Sequence, residues 1–178
     1  MDSSLVDIIQ LCHLADRKAV KAYADLARGS ADAELAAFWA ELSRQEIEHV
    51  HHWQVAAGYA ERGWLPQVFE RPLEVLAELR EAHRSIDRLV MNLGPAPGVL
   101  TSFTMAAELE LIMLHPSFGA LFEVMASLSG DTKFLDGYTA HLDGFVRVLG
   151  ARAQGNPALL SLGEAITGRW QRSKLLGL

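Results

Sequence analysis

Glu46 and His49 stand three residues apart in a stripe that reads Trp39, Leu42, Glu46, His49, Trp53, with steps alternating between three and four. That spacing keeps all five side chains on one face of a helix. A carboxylate buried without a partner costs several kcal/mol or is forced neutral, so a glutamate on an apolar stripe needs a partner. Glu-x-x-His aims two donors the same way from successive helical turns, and a divalent metal can use such a pair. Asp16 repeats the anomaly in the stripe Ile9, Cys12, Asp16, Ala19, Tyr23, Leu26, where an apolar residue is expected. Two stripes interrupted by ligand-type residues predict a shared site.

An approximate internal repeat extends the set. A shift of 92 residues carries Asp16 to Glu108 and His49 to His141, and also Leu42 to Phe134, Trp53 to Phe145, Glu46 to Tyr138 and Tyr23 to His115. Two helical hairpins would then face one another, each offering a carboxylate on its first helix and a histidine on its second. Glu108 is preferred to nearby Glu110 because it is in register with Leu111, His115 and Phe118. The predicted metal ligands are Asp16, Glu46, His49, Glu108 and His141. Tyr23, Tyr138 and His115 are read as supporting or packing groups, and His13 as able to reach the edge of the site. The plainer readings are a salt bridge from Asp16 to Arg17 or Lys18, which do not share its face, and a hydrogen-bonded core histidine for His141. His51, His52 and His83 are expected on solvated faces.

The elements that must position these residues are helical, for no run alternates with a period of two. One helix is predicted from Ser4 to Arg28, ended by Gly29, with Ser30 or Asp32 capping the next. The second carries the Trp39–Trp53 stripe, with Glu41, Arg44, Gln45, Glu48 and His52 on its other face, and fades near Gly63 and Pro66. Pro72 opens a third, which runs to a break at Gly94–Gly98. Another starts at Val99 and continues, disturbed at Pro116, into Leu121–Met125. Gly130 and Asp131 begin the next, through Phe134, Leu142, Phe145 and Val148. A short amphipathic segment from Leu159 to Trp170 closes the chain, covering the bundle or forming a homodimer contact. The expectation is an all-α fold in a single domain over residues 1–178.

Composition narrows the function. Sixteen basic against twenty-two acidic residues give a net charge of −6, which lacks the basic footprint of a nucleic-acid partner. Cys12 is the only cysteine, so neither an intramolecular disulfide nor a four-cysteine metal site can form. The uncharged run from Leu89 to Ala107 approaches the length of a membrane span, but Gly94, Pro95, Pro97 and Gly98 interrupt it. With Asp2 and Asp7 in place of a basic leader, a cytoplasmic protein without a membrane partner is expected. No Gly-rich phosphate loop or Ser-His-Asp pattern is present.

The segment from Asp16 through Ala19, Tyr23, Leu26 and Ala27 to Glu46-Ile47-Glu48-His49 resembles the first helical hairpin of rubrerythrin-like members of the ferritin-like superfamily. The resemblance covers residues 5–60 and, more weakly, 99–150. It implies a four-helix bundle with a helical crossover between the two hairpins and a short C-terminal helix. Asp16 would stand for the first-helix glutamate, Glu46 and His49 for the first Glu-x-x-His, Glu108 for the third-helix glutamate and His141 for the second histidine. Asp16 is one methylene short, and Tyr138 stands where the second Glu-x-x-His has its glutamate, so a six-ligand di-iron set is incomplete. Five ligands could hold two ions with an added water or external carboxylate, or one ion firmly. The implied cofactor is iron, one or two ions, with manganese or zinc as alternatives. The implied activity is oxidoreduction of peroxide, oxygen or ferrous iron, with electrons from a separate donor protein or from substrate iron because no rubredoxin module is present. The alternatives are a non-catalytic metal-binding, sensing or storage-related protein, and a metal-free bundle serving in assembly.

Overall fold

Helices start and stop where the sequence supplies caps and breakers. The computed structural model describes residues 3–130, 132–153 and 155–175, and these form seven helices with no strand. They are α1 (Ser3–Gly29), α2 (Ala33–Glu61), α3 (Pro72–Met91), α4 (Val99–Met113), α5 (Pro116–Ser129), α6 (Lys133–Ala153) and α7 (Pro157–Leu175). Asp32 caps α2, its side chain accepting from the N–H groups of Glu34 (2.9 Å) and Leu35 (3.2 Å). Asn156 does the same for α7, accepting from Ala158 and Leu159. Pro72, Pro116 and Pro157 each open a helix, where the missing N–H costs nothing. Gly130 ends α5 at φ 65°, the left-handed conformation a side chain resists. A Cβ at Gly29 would lie 2.8 Å from the Pro95 carbonyl oxygen, so the end of α1 needs glycine to meet the α3–α4 loop.

Two expectations about the elements are corrected. The helix beginning at Val99 does not run on past Pro116: it divides into α4 and α5, bent by 60°. Proline cannot donate the backbone bond that would continue α4, and His115 instead caps α5 by accepting from the Ser117 N–H. The C-terminal helix is longer than predicted, beginning at Pro157 and reaching Leu175. Asp131, expected to start α6, and the side chain of Phe134 lie outside the described residues.

α1 and α2 pack along one another, α3 lies against α1 and α4, and α6 contacts α2, α5 and α7. α7 also covers α4. Ile8, Ile9, Tyr23, Trp39, Trp53, Phe103 and Phe145 are fully buried between them, each aliphatic or aromatic side chain contributing about 1.5–3 kcal/mol of transfer free energy. His83, expected on a solvated face, is buried instead and ties α3 to α1. Its Nε2–H donates to the Leu11 carbonyl at 2.7 Å, while its Nδ1 accepts from Lys18 Nζ at 3.1 Å. Lys18 also pairs with Asp87 at 2.6 Å, which occupies it away from Asp16. Among the described residues no single helix is long and apolar enough to cross a membrane.

Candidate metal centre

The interrupted stripes of α1 and α2 converge in the core. Asp16, Glu46 and His49 are 1%, 0% and 4% exposed, and α4 and α6 add Glu110 at 0% and His141 at 1%. Two triads result: Asp16, Glu46 and His49 place one donor atom each within 4.8 Å of one another, and Glu46, Glu110 and His141 do likewise. Glu46 belongs to both. Its Oε2 lies 2.9 Å from His49 Nδ1, and its Oε1 lies 3.4 Å from His141 Nε2. The two imidazoles are 5.5 Å apart, centroid to centroid.

Glu108 is a correction. It is exposed and lies in a surface hollow with Leu89, Asn92 and Leu93, whereas Glu110 takes the inward place. The reason is the character of α4, which buries Phe103, Met105, Ala106, Ala107, Leu109 and Met113 and so shows apolar residues to several sides. Periodicity alone cannot choose its inner face. The stepping Phe103, Ala106, Glu110, Met113 repeats the alternation of three and four seen in α2, and that signal selects Glu110.

Supporting groups surround the triads. The Tyr23 hydroxyl donates to Glu110 Oε1. His141 Nε2 lies 3.0 Å from the same oxygen, and its Nδ1–H donates to Gln45 Oε1 at 2.8 Å. Trp53 Nε1–H donates to Asp16 Oδ2 at 2.5 Å. The sequence places Gln45 on the outer face and Trp53 in the core; both turn their polar ends to the site, which only the approach of α1 and α6 reveals. Tyr138 packs its ring parallel to His141, at 6.4 Å, and 5.2 Å from His49. Its hydroxyl donates toward the Met113 carbonyl at 3.5 Å and, among the described residues, to no carboxylate of the cluster. His115 stands apart, capping α5 and pairing with Glu78 at 3.1 Å. His13 belongs to neither triad.

Electrostatics show what three carboxylates cost in a buried core. Burial, with the adjacent Glu46 and Glu110 charges, pushes the Asp16 carboxyl well above the usual range, although the Trp53 N–H pulls it down. Burial also works against an ionised Glu110, but the charge and hydrogen bond of His141, the Tyr23 hydroxyl and His49 hold it below its ordinary value. Burial disfavours the His141 cation, yet Glu110 and Glu46 carry it up to about 9. Tyr23 and Tyr138 are raised well above 10 by burial and by the neighbouring carboxylates, so both are neutral phenols. One oxygen on each carboxylate (Asp16 Oδ1, Glu46 Oε1 and Glu110 Oε2) is buried without a hydrogen-bond partner. Such orphaned acceptors are uncommon in protein cores and call for a cation or a water.

The fold and the site together define a class: an all-helical bundle whose core holds a buried carboxylate–histidine cluster supplied by α1, α2, α4 and α6. Comparison with models of known protein families gives no match, and no curated protein matches the chain.

Proposed function

We propose that this chain is a ferritin-like metal-binding bundle, similar to rubrerythrins, and that it works as a non-haem iron or manganese oxidoreductase on peroxide, oxygen or ferrous iron. The observation that carries the reading is the set of three orphaned carboxylate oxygens, one each from Asp16, Glu46 and Glu110, beside two buried imidazoles. The donors fit a divalent transition ion, since carboxylate oxygen with imidazole nitrogen suits iron, manganese and zinc. Asp16, Glu46 and His49 would hold one ion and Glu46, Glu110 and His141 a second, with Glu46 common to both. Bound iron or manganese supplies one-electron chemistry and open positions for oxygen or peroxide.

The chain's own groups prepare that chemistry. Gln45 accepts the His141 Nδ1 proton and fixes the tautomer that turns Nε2 to the cluster. Tyr23 orients Glu110, and Trp53 orients Asp16. Tyr138, Phe122 and Trp53 form an aromatic wall on the α5–α6 side, with ring centroids 4.6–5.4 Å apart, that limits the entry of bulk water. Electrons would come from a separate donor protein or from ferrous iron.

Tyr138 favours a second reading, a non-catalytic metal-binding or sensing protein with one ion, because it fills the place of a sixth ligand without offering an oxygen to the cluster. Metal analysis of the purified chain, repeated for Glu46→Ala and His141→Ala, separates these readings. About two equivalents of iron or manganese, with an optical band that responds to peroxide, support the oxidoreductase. About one equivalent of zinc supports the binding protein. Absence of metal after reconstitution, with both variants unaffected, refutes the metal site.

A further inference from the structure

The bend between α4 and α5 opens a second cavity that the metal reading does not use. It has a volume of about 310 Å³ and is walled by Met113, Leu114, Phe118, Tyr138 and Trp170. That is the small end of the range for ligand pockets, ~300–1,000 Å³, which are mostly apolar with a few placed polar groups. Here His115 and Tyr138 are accompanied by two cationic side chains. Arg169 and Arg172 line the cavity, and no acidic residue does so among the described residues. Arg169 donates from Nε to the Leu114 carbonyl at 3.1 Å, which anchors its guanidinium at the cavity wall. Neither arginine has a salt-bridge partner among the described residues, although the chain as a whole carries a net charge of −6. Glu78, the carboxylate that reaches the cavity-lining His115, is engaged by it at 3.1 Å.

We propose that this cavity binds a small aromatic monocarboxylate. Its carboxylate would pair with Arg169 and Arg172, whose planar forks match carboxylate geometry. Its ring would lie among Phe118, Tyr138 and Trp170; Tyr138 and Trp170 already meet edge to face at 5.3 Å. Tyr138 is the shared wall: it lines the cavity, and its ring lies nearly parallel to that of His141 at 6.4 Å. The cavity is separated from the carboxylate–histidine cluster by that ring, so the inference stands whether or not the cluster holds metal.

The test is isothermal titration calorimetry of the full chain without added metal, using 3-phenylpropanoate against 3-phenylpropan-1-ol. Saturable one-site binding of the acid is expected, with the neutral alcohol about tenfold weaker or more, because a charge-assisted pair is lost. Added salt should weaken the acid and leave the alcohol unchanged. Arg172→Gln and Arg169→Gln should each weaken the acid several-fold, and the double variant should bind acid and alcohol alike. Arg172 is exposed, so its variant is expected to fold, and far-ultraviolet circular dichroism checks both. The indole N–H resonance of Trp170, assigned with Trp170→Phe, should move on binding. Equal affinity for acid and alcohol in the unmodified chain, no binding at low-millimolar ligand, or shifts at the other indoles but not at Trp170 would each overturn the proposal.

Discussion

Glu110→Gln and Glu108→Gln test the register of α4 directly. Glu110 is fully buried, with Oε1 against Tyr23 and His141 and Oε2 without a partner. Replacing it by glutamine keeps the size and an acceptor oxygen but removes the charge. Glu108 is exposed and borders only a surface hollow, so its replacement should change stability by no more than about 0.5 kcal/mol. A ligand present at a hundred times its dissociation constant stabilises the folded state by ~2.7 kcal/mol. For a chain of this length that raises the melting temperature by roughly 5–11 °C. Loss of the Glu110 carboxylate should weaken binding by about a hundredfold, at least the effect of losing an orienting partner. At the same manganous ion concentration the increment then falls to ~0.4 kcal/mol, a rise of about 1–2 °C. The assay is thermal unfolding with and without manganous ion for the unmodified chain and both variants. Retention of the full increment by Glu110→Gln, with loss in Glu108→Gln, would refute the placement of α4 and restore the register implied by the 92-residue shift. No increment in the unmodified chain would refute the site.

Three further outcomes follow from the geometry. Tyr138→Phe should leave manganous ion affinity unchanged in the same titration, because the phenol faces the Met113 carbonyl; a large loss would show that it ligates. Trp53→Phe removes the donor to Asp16 Oδ2, so chemical denaturation of the metal-free protein should show a loss of about 1–3 kcal/mol, and an unchanged midpoint would argue against that bond. His83 sets a pH dependence. Burial and the Lys18 charge hold it below its ordinary value of 6.5, against the opposing effects of the Leu11 carbonyl and Asp87. The folded ring therefore takes a proton less readily than the unfolded one. Its stabilisation is complete above pH 6.5 and is lost as pH falls from there toward the lowered folded value. His83→Gln should reduce the slope of stability against pH in that window without abolishing it, since His13 and His115 are lowered too. An unchanged slope would show that His83 is not a source.

The first hairpin is legible because its chemistry interrupts otherwise apolar stripes. Asp16 sits between Cys12 and Ala19, and Glu46 and His49 sit between Leu42 and Trp53, so a regular helix leaves them nowhere to point but inward. α4 offers no such contrast. Its glutamates at 108 and 110 lie in a helix apolar on several sides, and the 92-residue repeat, true for His49 and His141, misses the carboxylate by two positions. His83 escapes a local reading because a histidine among charged neighbours looks solvated until α1 supplies a carbonyl and a lysine. The bend at Pro116 shows in the sequence as a disturbance, but its size depends on how α5 packs against α6, which no local pattern encodes. Gln45 and Trp53 are likewise defined by partners 96 and 37 residues away.

Glu46 turns one oxygen toward His49 and the other toward His141. A carboxylate is rigid and planar, so it acts as a seesaw: tilting to shorten one contact lengthens the other. A tilt of Glu46 toward His49 would therefore draw its other oxygen away from His141 on α6, so the contacts at the two imidazoles are tied to one side chain. The two halves of the cluster are thus not two sites set side by side but a single balance with one fulcrum.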